Sequence, residues 1–212
     1  MLAVAGGKGG SGKTTTALGV ASALAERRRR PLVVDCDLDA PNLHLRADVP
    51  RDPGVGTVSD AGIDAAGDPA ALAHESPAVP GVDVLPAGDA DGDALAAAIA
   101  SLSDDRPVVL DCPAGASEAA ARPLRAADGC LVVATRGRES VEDAVKTAAM
   151  ARAVGTPVRA VAVSREPAVP RGLGDALDAP RVVPVPAADA PLRAATARSA
   201  YRALADAARP NS

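Results

Sequence analysis

Aromatic side chains are nearly missing: the 212 residues contain no Phe, no Trp and one Tyr, Tyr201. Base stacking, on which binders of single-stranded nucleic acid depend, has almost nothing to work with. The net charge of −4 adds no general attraction to phosphate backbones or anionic lipid, so no nucleic-acid partner is expected. No apolar run approaches the roughly 20 residues that cross a bilayer. Met1 leads straight into LAVAGGKGG, without the basic and small-residue regions of a secretory leader. Cysteine is limited to Cys36, Cys112 and Cys130, which cannot all pair and show no CxxC spacing. That usage suits a reducing cytoplasm and argues against a disulfide scaffold. His44 and His74 stand apart, without the spacing of a metal site. Lysine is scarce as well: of 23 Lys and Arg, only Lys8, Lys13 and Lys146 are lysines.

What is abundant is alanine, at 51 positions, and Asp outnumbers Glu by 21 to 6. The length suits one α/β domain over residues 1–212. Short apolar runs at Leu2–Ala5, Leu32–Asp35, Val82–Leu85, Val108–Asp111, Cys130–Ala134, Val158–Val163 and Val182–Val185 read as strands buried on both faces. Helices are expected at Lys13–Arg28, Asp93–Ser101, Ser117–Ala126, Glu139–Val154 and Pro191–Ala208. This alternation predicts a three-layer α/β fold, a mostly parallel sheet flanked by helices. Asp48–Pro80 and Glu166–Pro180, rich in Gly and Pro, read as irregular excursions with short helices in the first.

After the first strand comes GGKGGSGKTTT, in which Gly7, Gly12, Lys13 and Thr14 satisfy the P-loop pattern. Glycines allow consecutive N–H groups to converge on phosphate oxygens. Lys13 reaches the β- and γ-phosphates, Thr14 offers a hydroxyl to Mg²⁺, and the following helix presents its positive end.

The second lysine in this loop makes the segment more specific. Lys8-Gly9-Gly10-Ser11-Gly12-Lys13-Thr14-Thr15 resembles the deviant Walker A motif of the MinD/ParA family of P-loop ATPases, and of its short archaeal-type MinD-like branch. The resemblance implies ATP and Mg²⁺ as cofactors, held by Gly9, Gly10, Ser11, Gly12, Lys13, Thr14 and Thr15. It also implies a homodimer closed around ATP, with Lys8 touching phosphate across the interface as an arginine finger does. VVDCDLDAPNLHL resembles the family's switch I, implying that Asp37 orients the attacking water and that Asp35 supports Mg²⁺. RPVVLDCPAGAS resembles its Walker B and switch II, with Asp111 as the Mg²⁺-linked carboxylate. The implied function is a weak ATPase acting as a molecular switch that positions an unidentified protein partner, in the cytoplasm.

Some features depart from the family. The family often places Asn-Arg after its sixth strand, where the Asn recognises adenine; here the pair is Ser164-Arg165. A hydroxyl cannot reproduce a bidentate amide contact, so base discrimination is expected either to be weaker or to come from backbone around Pro184–Ala188. The run Arg27–Arg30 closes the first helix, where cations suit the dipole and Arg stands in place of a C-cap glycine. The tail after Ala190 carries only Leu192, Tyr201 and Leu204 as large apolar side chains, too few for an autonomous membrane anchor. Two rivals share the fold. An iron–sulfur cluster carrier of Mrp type would use Cys36 and Cys112, which flank the nucleotide site. An ATP-dependent ligase related to dethiobiotin synthesis would need a substrate pocket and no counterpart of Lys8.

Overall fold

The computed structural model describes residues 1–57 and 68–209. Leu2–Gly6 forms β1 and Lys13–Ala25 forms α1; Leu32–Asp35 is β2, Leu43–Ala47 the short α2, and His74–Glu75 and Asp83–Leu85 are β3 and β4. Gly92–Ser101 is α3, Val108–Ala114 β5, Glu118–Ala126 α4, Gly129–Ala134 β6 and Arg138–Ala153 α5. Val158–Ser164 (β7), Leu173–Leu177 (α6), Val182–Val185 (β8) and Ala195–Ala207 (α7) complete the described chain. Every strand expected from an apolar run forms, with small differences at the ends. Of the expected irregular stretch Asp48–Pro80, residues 58–67 lie outside the described residues.

Among the described residues the sheet has eight strands, in the order β3-β4-β2-β5-β1-β6-β7-β8. All pairings are parallel except β3 with β4, which is antiparallel. A two-residue edge strand carries no periodicity, which is why the sequence did not reveal β3.

Strand residues alternate between two cores. Ala3, Ala5, Leu32 and Val34 meet α3, α4, α5 and α6 through Leu95, Leu124, Ala148 and Leu177. Val4, Val33 and Val84 meet α1, α2 and α7 through Leu18, Leu43 and Leu204. The expected three-layer architecture is therefore what forms. Leu and Val are the largest fully buried side chains, and alanine faces let helices approach closely. One close approach is at Gly19, where a Cβ would lie 2.4 Å from the Tyr201 ring. Tyr201 and Leu204 are buried against α1 rather than presented outward. No helix among the described residues is long and apolar enough to cross a membrane.

The arginine run ends α1 earlier than expected. The helix stops at Ala25, and Arg28 adopts the left-handed conformation (φ 58°) that glycine would favour, a cost of about 1 kcal/mol. Arg28 and Arg29 N–H groups bond back to Ala25 and Leu24 carbonyls. The run is partly engaged in ion pairs, Arg27 to Asp206 at 2.8 Å and Arg30 to Asp83 at 3.0 Å. Asp83, itself buried, also receives Arg106 at 2.6 Å, tying β4 to the segment before β5.

Candidate functional site

The parallel strands β1, β2, β5 and β7 all end on one edge of the sheet, and the site is built from the loops that leave those ends. The loop after β1 is squeezed as it departs: a Cβ on Gly7 would sit 2.3 Å from the Asp143 Cβ on α5. Gly12, the residue before α1, has φ 98°, and a Cβ there would also press within 2.7 Å of the Ser164 hydroxyl. Both conformation and space therefore demand glycine at the point where the loop becomes helix. The first turn of α1 contains no acidic side chain, leaving the positive end of its dipole available to an anion.

The two loop lysines have opposite surroundings. Lys13 is buried, and its ammonium lies 3.4 Å from the Lys8 carbonyl at the mouth of a cavity of about 870 Å³. Gly9, Gly10, Gly12, Thr14 and Thr15 line the same cavity. Lys8 does not: its side chain is 54% exposed and its ammonium meets Glu139 of α5 at 3.0 Å. Ser11 is buried behind the loop, with a hydroxyl that has no partner among the described residues.

The acidic residues converge on the same point. Asp35 and Asp111 are register partners on the adjacent strands β2 and β5, and both are buried. Burial raises Asp111 to about 8, helped by the neighbouring Asp35 charge and opposed by the Thr14 hydroxyl and the Lys13 ammonium. Burial raises Asp35 to about 6, opposed by backbone N–H groups. Its two oxygens accept the N–H groups of Asp37 and Leu43, each at 3.1 Å, so Asp35 braces both ends of the loop between β2 and α2. Asp111 differs, for its Oδ1 is buried without a partner among the described residues. An orphaned carboxylate oxygen beside a threonine hydroxyl is a donor set that fits a hard divalent cation. Asp37 lies on the cavity wall, with one oxygen accepting the Ala40 N–H at 3.2 Å.

Ser164, Arg165 and residues 185–188 line the same cavity. Three further residues emerge that the sequence reading assigned no role. Asn42 accepts the Thr14 hydroxyl at 2.9 Å. Glu139 holds Lys8. Arg165, itself left-handed at φ 63°, donates to the Gly10 carbonyl at 3.0 Å and ties the end of β7 to the phosphate loop. Asn42 stood within the segment already singled out; the other two depend on contacts over 131 and 155 residues, which no local pattern signals.

Cys36, Cys112 and Cys130 are all buried. Cys36 and Cys112 donate to carbonyls two residues earlier on their own chain. Burial pushes Cys36 and Cys112 well above the usual thiol range and Cys130 up to about 12. They behave as small core residues, whereas a cluster bridging two subunits needs thiolates at the surface. Among the described residues no group of three or more His, Cys, Asp or Glu is placed to hold a metal.

Known proteins share this fold. An uncharacterized ATP-binding protein of Methanocaldococcus jannaschii is 31% identical over 172 residues, covering 77% of this chain. The chain spans 63% of the length of that relative and 64% of a second from the same organism. The septum site-determining protein MinD of Pyrococcus horikoshii, solved with Mg-ADP, superposes with a TM-score of 0.80 at 23% identity, over 97% of this chain and 93% of that one. Cobyrinic acid a,c-diamide synthase of Mycobacterium smegmatis, solved with an ATP analog and magnesium, gives 0.69 at 24% identity, over 97% and 92%. At such identities the two solved structures establish the fold alone. Residues 2–173 match the nucleotide binding domain shared by CobQ, CobB, MinD and ParA, and the chain belongs to that family.

Proposed function

We propose that this chain is an ATP-binding and ATP-hydrolysing switch of MinD type, which closes into a homodimer around ATP and is read by a protein partner whose position or assembly it controls. The observation that carries this reading is the division of labour between the two loop lysines. Lys13 is buried at its own cavity, while Lys8 is half-exposed and absent from the cavity wall. An outward lysine in that position is placed to serve a second subunit's phosphate rather than its own. A ligase on the same fold has no use for an outward lysine, so this arrangement favours the switch over that rival.

The residues then take the following parts. Gly9, Gly10, Gly12 and Thr15 present the loop's amides to the phosphates, and Lys13 supplies a compact cation from within. Thr14 and Asp111, with Asp35 behind them, would hold Mg²⁺, which when bound neutralises charge on the β- and γ-phosphate oxygens. Asp37 carries an oxygen free of protein partners among the described residues, suited to orient a water for attack. Lys8 arrives from the partner subunit where charge develops and leaves its own Glu139 to do so. Tyr201 and Leu204 of α7 are spent on α1 rather than presented to a surface.

Lys8→Ala tests the reading. It should leave nucleotide affinity of the monomer within about two-fold and abolish ATP-dependent dimerisation in light scattering. Asp37→Ala, by slowing hydrolysis, should accumulate the dimer; a strictly monomeric Asp37→Ala variant in excess ATP and Mg²⁺ would sink the proposal.

A further inference from the structure

Asn42 occupies the N-cap position of α2 but does not cap it. A carboxamide at that position ordinarily turns back to accept the second or third helical N–H, which favours the helix by about five-fold. Here Oδ1 accepts the Thr14 hydroxyl at 2.9 Å, and Nδ2 donates to the Ala40 carbonyl at 3.1 Å. The Leu43 N–H is taken by Asp35, and Arg46 N–H bonds to the Asn42 carbonyl at 3.3 Å. His44 and Leu45 therefore carry the first-turn N–H groups that helix geometry leaves without an intrahelical acceptor. One acceptor oxygen faces two possible donors, and in this structure the helix loses.

The balance depends on Thr14. A hydroxyl has one proton, and a cation drawing on its oxygen makes that proton seek the strongest acceptor nearby. Asp111, whose Oδ1 is buried without a partner among the described residues, is then a charged competitor against a neutral amide, and bonds to ionised acceptors are roughly twice as strong. We propose that Asn42 is a positioning residue that exchanges partners: it holds the Thr14 hydroxyl when the Thr14–Asp111 pocket lacks a divalent cation, and caps α2 when that pocket is filled. The inference rests on the reading that Thr14 and Asp111 take Mg²⁺. It adds a route by which occupancy at the phosphate loop reaches the surface, since α2 carries Leu45, 72% exposed at the cavity rim.

The test uses the ¹⁵N-labelled 212-residue chain with saturating ADP, in EDTA and then in excess MgCl₂, and reads amide exchange at His44 and Leu45. ADP affinity is measured under both conditions. In the native protein MgCl₂ should slow exchange at these amides by about five-fold, the factor one cap is worth. Asn42→Ser keeps a capping oxygen but is too short to reach Thr14, so exchange should be slow with and without MgCl₂. Asn42→Ala should exchange fast in both. Exchange indifferent to MgCl₂ in the native chain, or an MgCl₂ effect that persists in either variant, overturns the exchange of partners. If MgCl₂ tightens ADP binding while exchange stays fixed, this inference alone fails; if MgCl₂ has no effect on ADP affinity, the cation reading falls and takes it along. Both arms use the ADP-bound chain, so a protein that never dimerises would leave the outcome unchanged.

Discussion

Asp111 should make the nucleotide-free protein lose stability as pH rises through neutrality. Its carboxyl is buried and raised from 3.8 to about 8, while in the unfolded chain it ionises near the ordinary value. Between those limits the folded state binds a proton that the unfolded state has released, so the unfolding free energy falls with increasing pH by about 1.4 kcal/mol per unit. Asp35, raised to about 6, adds to the fall at its acid end, and the adjacent pair titrates together. Over pH 5.5 to 7.5 the Asp111 share is about 3 kcal/mol. With a urea dependence of about 2 kcal/mol per molar, that moves the midpoint down by roughly 1.5 M. Asp111→Asn keeps the shape, removes this ionisation and should flatten the profile, so that its stability relative to wild type grows by about 3 kcal/mol between pH 5.5 and pH 7.5, the two being nearly equal only near pH 4. Saturating Mg²⁺ and ADP should flatten the wild-type profile too, because a cation beside the carboxyl favours its charged form. Parallel urea midpoints for wild type and Asp111→Asn across this range would refute the argument.

Gly19→Ala gains up to about 1 kcal/mol of helix propensity, yet its methyl would lie 2.4 Å from the Tyr201 ring. Overpacking should win by about 1–2 kcal/mol, lowering Tm by roughly 5 °C in calorimetry; an unchanged or raised Tm would show that α7 can shift aside. Asp83→Ala strands the guanidiniums of Arg30 and Arg106, the latter mostly buried, and should cost about 3 kcal/mol in denaturant titrations. A loss below about 0.5 kcal/mol would mean that water takes over both arginines. Ser164 offers the base only a hydroxyl, so competition between ATP and GTP should show less than about ten-fold preference, with Ser164→Asn increasing it for ATP; a wild-type preference above a hundred-fold would place base selection elsewhere.

The layers of the fold were readable because each rests on a local pattern. Apolar runs of four or five residues such as Leu32–Asp35 need burial on both faces, and only a helix-covered parallel sheet provides it. Edge and terminus details were not readable for the complementary reason. β3 forms because β4 offers it an edge, and α1 stops at Ala25 because Arg28 takes a left-handed turn that its side chain does not advertise. At the site, the loop glycines, Lys13 and Thr14 were legible since phosphate binding requires consecutive amides from one short segment. Asp35 was legible as a site residue and not as a brace, because its hydrogen bonds to Asp37 and Leu43 depend on how the intervening loop curls back. Arg165 was invisible as a strap for the same reason: its contact with Gly10 exists only once β7 and the phosphate loop are neighbours at one sheet edge.

Scarcity explains why the decisive pair could be found at all. In a chain that uses Arg for nearly every cation, Lys8 and Lys13 stand five residues apart, and the fold gives them opposite environments. Lys13 must be lysine, because a guanidinium is too wide for a buried position behind the loop glycines, where a compact ammonium meets the Lys8 carbonyl. Lys8 faces no such crowding; at 54% exposure, paired with an open Glu139, it has room for an arginine. In the proposed dimer a demand for lysine at this position would come from outside the subunit, from a phosphate-filled cleft shared with a second copy. Lys8→Arg accordingly separates the two demands: ADP binding by the monomer should be unaffected, while ATP-dependent closure, which must fit the larger head between two subunits, should weaken.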